Sequence, residues 1–281
     1  MKKDGHTHTE LCPHGSGDST AKMVEKAIEL GFSDYCITEH APLPKRFASE
    51  FRGNPEGLET ASLKWSQLED YFELCENLQK KYGDVINLKI GFEVDYLPGF
   101  EEDIRQFLNE YGSRTQENIL SVHFMKGTAN GFWCVDYDTT EFANGFSDFL
   151  ADPQNLYQRY FELIQQAVLA DLGKYAPQRI GHMNLIKKYQ DYFELPAKFA
   201  NNNLELLSNI LNTVKEQSRE LDFNTAGLYK PYCNEIYPGN QIIQLACAKN
   251  IPFVFGSDAH AIAEVGRGYH LTDFIEILDR K

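Results

Sequence analysis

His6 and His8 stand two residues apart near the start of the chain, and Asp258 and His260 repeat that interval near its end. In an extended strand, residues i and i+2 project from one face, so each pair could offer two ligands to one ion. His14, His40, Glu93, His123 and His182 fall between the pairs. Imidazole and carboxylate donors without a thiolate suit Zn2+, Mn2+ or Fe2+. Nine donors exceed the needs of one ion, so two or three divalent ions are implied, with Glu93 able to bridge neighbours. Each residue alone has a plainer reading. The opening pair could be a tag or a frayed terminus, and a histidine after a strand can be a satisfied core residue. Glu93 could pair with a buried arginine, Asp258 could cap a turn, and His14 fits a surface loop. For the whole set, those readings require several unrelated coincidences.

The elements that must carry these residues alternate along the chain. An opening strand should end near His8, followed by a loop over 9–19. A helix capped by Ser19 or Thr20 should stop at Gly31. A strand over 32–38 runs into Glu39 and His40. The Pro- and Gly-containing segment 41–61 reads as a long loop, and its Lys45, Arg46 and Arg52 make it a candidate substrate cover or a solvated excursion. The spacing of Leu68, Tyr71, Phe72, Cys75, Leu78 and Tyr82 predicts a helix over 62–82. Strands are expected over 88–96 and 119–124, then a loop carrying Trp133 and Phe146. Asp152-Pro153 should start a helix reaching 172. The remainder reads as a strand over 179–183, a helix over 204–220, a strand over 221–227, a helix over 241–249, a strand over 252–256 and a last helix over 272–278.

Seven strands alternating with helices point to a parallel α/β architecture, in which catalytic groups gather at the C-terminal ends of the strands. Six histidines, Glu93 and Asp258 fall at or just beyond those ends. His270 lies outside the pattern and reads as structural. With no repeat, low-complexity tract or linker, residues 1–281 read as one domain.

Composition narrows the partners. Hydrophobic residues make up 42% of the 281 positions, enough for a sizeable core. No apolar run is long enough to span a bilayer and no secretory leader is evident, so a cytoplasmic, non-membrane protein is expected. Six cysteines without a CxxC pair suit reduced thiols. The formal net charge of −14 argues against a broad nucleic-acid footprint. An anionic substrate would have to be attracted locally, by metal ions or a few cationic side chains. There is no glycine-rich phosphate loop followed by Lys-Ser/Thr and no GxSxG elbow. Cys12 has no spacing that marks a nucleophile.

The motifs Asp-Gly-His6-Thr-His8-Thr, Cys-Pro-His14-Gly, Thr-Glu-His40-Ala-Pro, Gly-Phe-Glu93-Val-Asp-Tyr, Ser-Val-His123-Phe, Gly-His182 and Gly-Ser-Asp258-Ala-His260 together resemble the polymerase and histidinol phosphatase (PHP) family. The likeness spans almost the whole chain. Asn224-Thr225-Ala226-Gly227-Leu228 and Ile236-Tyr237-Pro238 further resemble its stand-alone histidinol-phosphatase branch. The resemblance implies a distorted, TIM-like (β/α)7 barrel with a trinuclear metal centre at the C-terminal ends of its strands. It implies hydrolysis of L-histidinol phosphate to L-histidinol and phosphate, in histidine biosynthesis. By motif, one metal would take His6, His8, Glu93 and Asp258; a second would share Glu93 with His123 and His182; a third would take His14, His40 and His260. The expected nucleophile is a hydroxide bridging two of the ions, with no protein nucleophile.

Family phosphatases often carry arginine after the Gly-Leu of the sixth strand, where this chain has Tyr229 and Lys230. Lys187, Lys188, Lys230 and Arg267 are therefore the candidates for holding the substrate phosphate, a lysine supplying a point charge without the fork of arginine. The expected partner is a small-molecule phosphate ester, with no nucleic acid and no membrane; the sequence does not indicate an oligomeric state. Rival readings are a family phosphatase or phosphodiesterase acting on nucleotides or other small phosphates, and an amidohydrolase. The latter would usually place a carboxylated lysine where Glu93 stands. A non-catalytic nucleic-acid-associated module is a further rival, disfavoured by the acidic charge and the lack of a polymerase region.

Overall fold

The computed structural model describes residues 1–273; most of the last expected helix, 272–278, lies outside them. In chain order the main elements are β1 (Lys3–Thr7), α1 (Thr20–Glu29), β2 (Asp34–His40), α2 (Pro55–Glu59), α3 (Leu68–Tyr82), β3 (Asn87–Asp95), α4 (Glu101–Tyr111) and β4 (Ile119–Ser121). There follow β5 (Phe124–Lys126), β6 (Phe132–Cys134), α5 (Thr139–Leu150), α6 (Pro153–Leu169), β7 (Arg179–Ile180), α7 (Asn201–Glu216), β8 (Glu220–Asn224), α8 (Asn240–Ala248) and β9 (Phe253–Gly256). Among the described residues, seven strands form one parallel sheet in the order β1-β2-β3-β4-β7-β8-β9. The sheet curls until its ends meet: the His8 N–H donates to Ala259 O at 2.9 Å, and the Asp258 N–H to His6 O at 2.8 Å. The result is the expected TIM-like (β/α)7 barrel, and its seam runs through the two ligand pairs. Asp4 reinforces that seam from below, accepting from the Ser257 N–H at 3.0 Å and the Ser257 hydroxyl at 2.6 Å.

Helices cover the outside as their spacing requires. The α3 stripe Leu68, Tyr71, Phe72, Cys75, Leu78 and Tyr82 is buried, as are Leu207, Ile210, Leu211 and Val214 of α7. Asp152 caps α6, its side chain accepting from the Asn155 N–H, with Pro153 in the first turn. β2 is buried along its whole length, as a strand covered on both faces must be.

Three expectations need correction. The strand expected over 119–124 leaves the barrel at Ser121; Phe124–Lys126 pairs antiparallel with Phe132–Cys134, so Trp133 lies on a strand and not in a loop. A turn with Ala129 and Asn130 at φ 58° and 52° reverses the chain between Gly127 and Gly131. Phe146 lies in α5, which Asp138 caps by accepting from the Glu141 N–H. The segment 41–61 is also not an open loop: it contains α2 and is tied to the hairpin through Arg52 N–H to Phe132 O at 2.8 Å. Its cations are committed elsewhere. Arg46 lies over the Phe100 ring at 3.8 Å and bonds Asp103 at 2.9 Å, Arg52 donates to Ser49 O and Phe51 O, and Lys45 sits over Trp65. None of the three lines the cleft described below.

The opposite end of the barrel is held by charge. The Glu117 carboxylate bonds Lys3 at 2.6 Å and also engages Lys89 and the fully buried Arg179. Burial opposes ionisation of Glu117, but Arg179, Lys3 and Lys89 outweigh it and pull its pKa down to about 2 from an ordinary 4.5. A carboxylate with a depressed folded-state pKa stabilises above its unfolded value and loses that contribution as pH falls towards the folded value. Glu117→Gln should therefore be less stable than the parent by on the order of 3 kcal/mol near pH 6, the gap closing between about pH 4.5 and 2. Urea unfolding across that range checks it; a gap independent of pH would contradict the assignment.

Candidate metal centre

At the C-terminal ends of the strands a cleft of about 490 Å³ opens, lined by His14, His40, Glu93, His123, His182, Asp258 and His260 among others. His6 and His8 lie beneath them, fully buried. All nine candidate donors are brought together. Glu93 is the hub: its Oε2 lies 3.2 Å from His6 Nε2, 3.2 Å from His40 Nδ1 and 3.7 Å from His8 Nε2. Its Oε1 lies 2.8 Å from His182 Nε2 and 3.5 Å from His123 Nε2. Asp258 Oδ1 approaches His8 Nε2 at 3.1 Å and His6 Nε2 at 3.7 Å. His14, the candidate that also fitted a surface loop, faces His260, their Nε2 atoms 3.1 Å apart.

Carboxylates and carbonyls behind the rings decide which nitrogens point inward. Nδ1 of His6 meets Asp222 Oδ2 at 2.7 Å, that of His8 meets Glu39 Oε1 at 3.1 Å, and that of His123 meets Asp95 Oδ1 at 2.9 Å. His14 and His260 direct Nδ1 at Thr60 O and Asp258 O, at 2.7 and 2.9 Å. With the proton on Nδ1 donated outward, each Nε2 presents a lone pair to the interior, the arrangement typical of metal-ligating histidine. Two such lone pairs facing each other at 3.1 Å between His14 and His260 repel unless a cation stands between or beside them. Both ring nitrogens of buried His40, and Nδ1 of buried His182, have no hydrogen-bond partner among the described residues. Orphaned buried nitrogens are expensive, and a metal ion bound at one nitrogen of His40 would remove part of that cost.

The electrostatics agree. Burial drives His40 well below the ordinary imidazole range and His260 down to about 3, so both are neutral donors. Burial would lower His8 as well, but its hydrogen bonds to Asp258 and Glu39 push it up to about 9. Burial likewise opposes protonation of His123, yet Asp95 and Glu93 raise it to about 10. So strong a pull on protons marks a pocket whose carboxylates seek positive charge. Groups of donor atoms lying within 4.8 Å of one another include His6, His8 and Glu93, and also His40, Glu93 and His123, so a His/Glu cluster able to bind metal is present. Cys12 lies near His8, His40 and His260. Burial and Glu39 push its thiol pKa far up, which favours the protonated form.

The residues that orient this cluster were not singled out in the sequence: Glu39, Asp95, Asp222, and Ser121, whose hydroxyl donates to Glu93 at 2.6 Å. Asn224, named in the sequence as part of the branch motif but not for this role, also orients the cluster, bonding Asp222 and Asp258 at 3.2 and 3.1 Å. A signal existed, since Asp95 follows Glu93 by two residues on one strand and Asp222 precedes Asn224 by two on another.

The four phosphate candidates part company. Lys188 and Lys230 line the cleft. Lys187, 1% exposed, instead pairs with Glu235 and donates to Ala197 O at 3.0 Å, away from the cleft lining. Arg267 stacks over Tyr229 at 4.0 Å and pairs with Glu264 at 3.3 Å, also outside the lining. Both are held by neighbouring carboxylates, which explains their withdrawal.

Comparison with known proteins places this architecture. The chain is 38% identical over 269 residues to the histidinol-phosphatase of Bacillus subtilis, covering 96% of this chain and 97% of that one. A crystal structure of a candidate histidinol phosphatase from Listeria monocytogenes superposes with a TM-score of 0.93 at 44% identity, over 96% of this chain and 99% of that one. A histidinol phosphate phosphatase from Lactococcus lactis, solved with zinc, L-histidinol and phosphate, shares the fold at a TM-score of 0.71 and 22% identity, covering 99% and 92% of the two chains. The PHP domain pattern matches residues 4–226 and the PHP-associated pattern residues 240–279. The chain belongs to the PHP domain family.

Proposed function

We propose that this protein is a metal-dependent histidinol-phosphatase, converting L-histidinol phosphate and water to L-histidinol and phosphate. The observation that carries the reading is the nine-donor cluster in the cleft of a chain so similar, end to end, to the Bacillus enzyme. His6, His8, Glu93 and Asp258 would hold one ion, Glu93, His123 and His182 a second, and His14, His40 and His260 a third. Two or three such ions, of zinc, manganese or iron, supply Lewis acidity and a water activated near neutral pH.

The protein's own side chains do the rest. The outer carboxylates hold the Nδ1 protons of His6, His8 and His123, fix the rings in orientation and make Nε2 more basic, so that a metal there would take the place of a second proton. Lys230 lines the cleft with its ammonium unpaired among the described residues, ready for a phosphoryl oxygen, and Lys188 stands nearby in the same lining. These cations stabilise charge on the transferred group in a site partly closed to water. They also explain how an acidic protein could attract an anion. The segment matching the PHP-associated pattern supplies Asp258 and His260 to the same cleft, so residues 1–281 are read as one working domain. All six cysteines are free, which suits the reducing cytoplasm.

Phosphate release from L-histidinol phosphate, compared with nucleotides and sugar phosphates on a sample of measured metal content, tests the reading. Histidinol phosphate is expected to be preferred, with activity lost on chelation and restored by zinc, manganese or iron. Equal turnover of the other esters would favour a broader phosphatase. Full activity after verified metal removal would exclude the metal-dependent scheme.

A further inference from the structure

One ion pair in the cleft wall takes no part in the metal cluster. Asp136 follows β6 and Lys188 follows β7; both line the cleft, their side chains 22% and 18% exposed. The Lys188 ammonium donates to the Asp136 carbonyl at 2.6 Å and to its carboxylate Oδ2 at 3.1 Å. The Tyr189 hydroxyl donates to the same carbonyl at 2.8 Å, which fixes the backbone there. Among the described residues, the other carboxylate oxygen, Oδ1, receives only the weak thiol donor of Cys134 at 3.2 Å. Burial would raise the Asp136 carboxyl, but Lys188 and His123 outweigh it and hold it well below the usual carboxylate range. The wall therefore carries one fixed negative and one positive charge side by side.

The other carboxylates of the lining have prior commitments. Glu93 and Asp258 belong to the cluster, and Asp95 holds His123. Glu264 accepts the His260 N–H at 2.8 Å and pairs with Arg267. Asp136 is different because its strong side-chain partner is a lysine, a flexible cation that can turn to another anion.

We propose that Asp136 and Lys188 form a charge-exchange element that selects phosphate esters bearing a neighbouring amine: Lys188 turns to a phosphoryl oxygen, and Asp136 takes the substrate ammonium in its place. This rests on the histidinol-phosphatase reading. In L-histidinol phosphate the amine and the ester oxygen sit on adjacent carbons, so the two substrate charges are only a few bonds apart and can face the wall pair together. Exchange then leaves four alternating charges, each paired. An ester without the amine draws Lys188 away and leaves Asp136 facing phosphate, a like-charge contact without compensation. Rejection therefore comes from the unpaired carboxylate, the strongest form of discrimination a polar site can offer. Asp136 and Lys188 are thus specificity residues, one for each charge of a zwitterionic substrate.

The test compares kcat/KM for L-histidinol phosphate and for its amine-free analogue, 3-(imidazol-4-yl)propyl phosphate, on the metal-loaded enzyme. The parent should prefer the amine by at least about tenfold, and Asp136→Asn should reduce that preference by on the order of ten- to a hundredfold. Lys188→Gln should lower both constants while the amine remains preferred. Equal turnover of the two esters by the parent overturns the inference without touching the phosphatase reading, and needs no variant to fold. An unchanged preference in folded, metal-replete Asp136→Asn also overturns it, as does an equal collapse of preference in both variants. Turnover of neither ester overturns this inference and the phosphatase reading together.

Discussion

Glu93→Gln is expected to lose metal and to lower turnover by about a thousandfold or more, several kcal/mol of transition-state stabilisation. The amide has the shape of the carboxylate, so the barrel should fold. What changes is the hub itself. Oε2 stands 3.2 Å from both His6 and His40, and Oε1 stands 2.8 Å from His182, so one side chain joins donors assigned to different ions. An amide removes the negative charge that offsets adjacent cations. Its NH2 group also donates to an inward imidazole lone pair and so blocks it. Burial opposes ionisation of Glu93, yet His6, His123 and His40 hold its pKa well below the usual carboxylate range, so the charge is present at neutral pH. Asp222→Asn offers the contrast, since Asp222 is not itself a proposed ligand and reaches the site through others: His6 Nδ1 at 2.7 Å and Asn224, which also bonds Asp258. Loss of such an outer contact should cost roughly ten- to a hundredfold in metal affinity or rate. Metal analysis and turnover on the same samples decide. Glu93→Gln with parental metal content and rate would mean that Glu93 only pairs with histidines.

The strand ends and their histidines were legible because alternation and turn residues are local signals. His6 with His8 and Asp258 with His260 lie two apart, and the barrel seam indeed brings those two segments side by side. The orienting carboxylates were harder to see, because their meaning lies across strands. Nothing near Glu39 in sequence says that it holds His8, the residue just past the neighbouring strand β1. The hairpin after Ser121 was hidden for another reason: Val122, Phe124 and Met125 around His123 are apolar and β-prone whether the chain stays in the barrel or turns away. The division between Lys187 and Lys188 was beyond sequence reasoning altogether. They are neighbours at the end of one short 3-10 turn, and the rotation between consecutive residues sends one ammonium to Glu235 and the other to Asp136 in the cleft wall.

At the far end of the barrel, Gly91→Ala should destabilise the fold by at least about 4 kcal/mol, lowering Tm by roughly 10 °C. Gly91 lies in β3 directly beneath the segment that leads into β4. A β-carbon there would stand 1.5 Å from the Glu117 carbonyl oxygen and 2.6 Å from the Glu117 carbonyl carbon. Both are backbone atoms, so no side chain can rotate away to make room. The crossing segment is also pinned in place: the Gln116 N–H donates to Ile90 O at 2.7 Å, and Asn118 Oδ1 accepts the Phe92 N–H at 2.8 Å. Relief requires the 116–118 segment to lift off β3. That motion takes the Glu117 carboxylate away from Lys3, Lys89 and Arg179, leaving three cations with their shared counter-charge displaced. It also disturbs the register in which Glu93 pairs with Ile119, so metal retention should weaken along with stability. Glu117→Gln separates the two causes, since it removes the charge and keeps the backbone in place. Thermal melts should rank Gly91→Ala below Glu117→Gln at neutral pH, and only the Glu117→Gln gap to the parent should close on acidification. A Gly91→Ala melt within about 2 °C of the parent would show that the strand crossing has slack this packing does not allow.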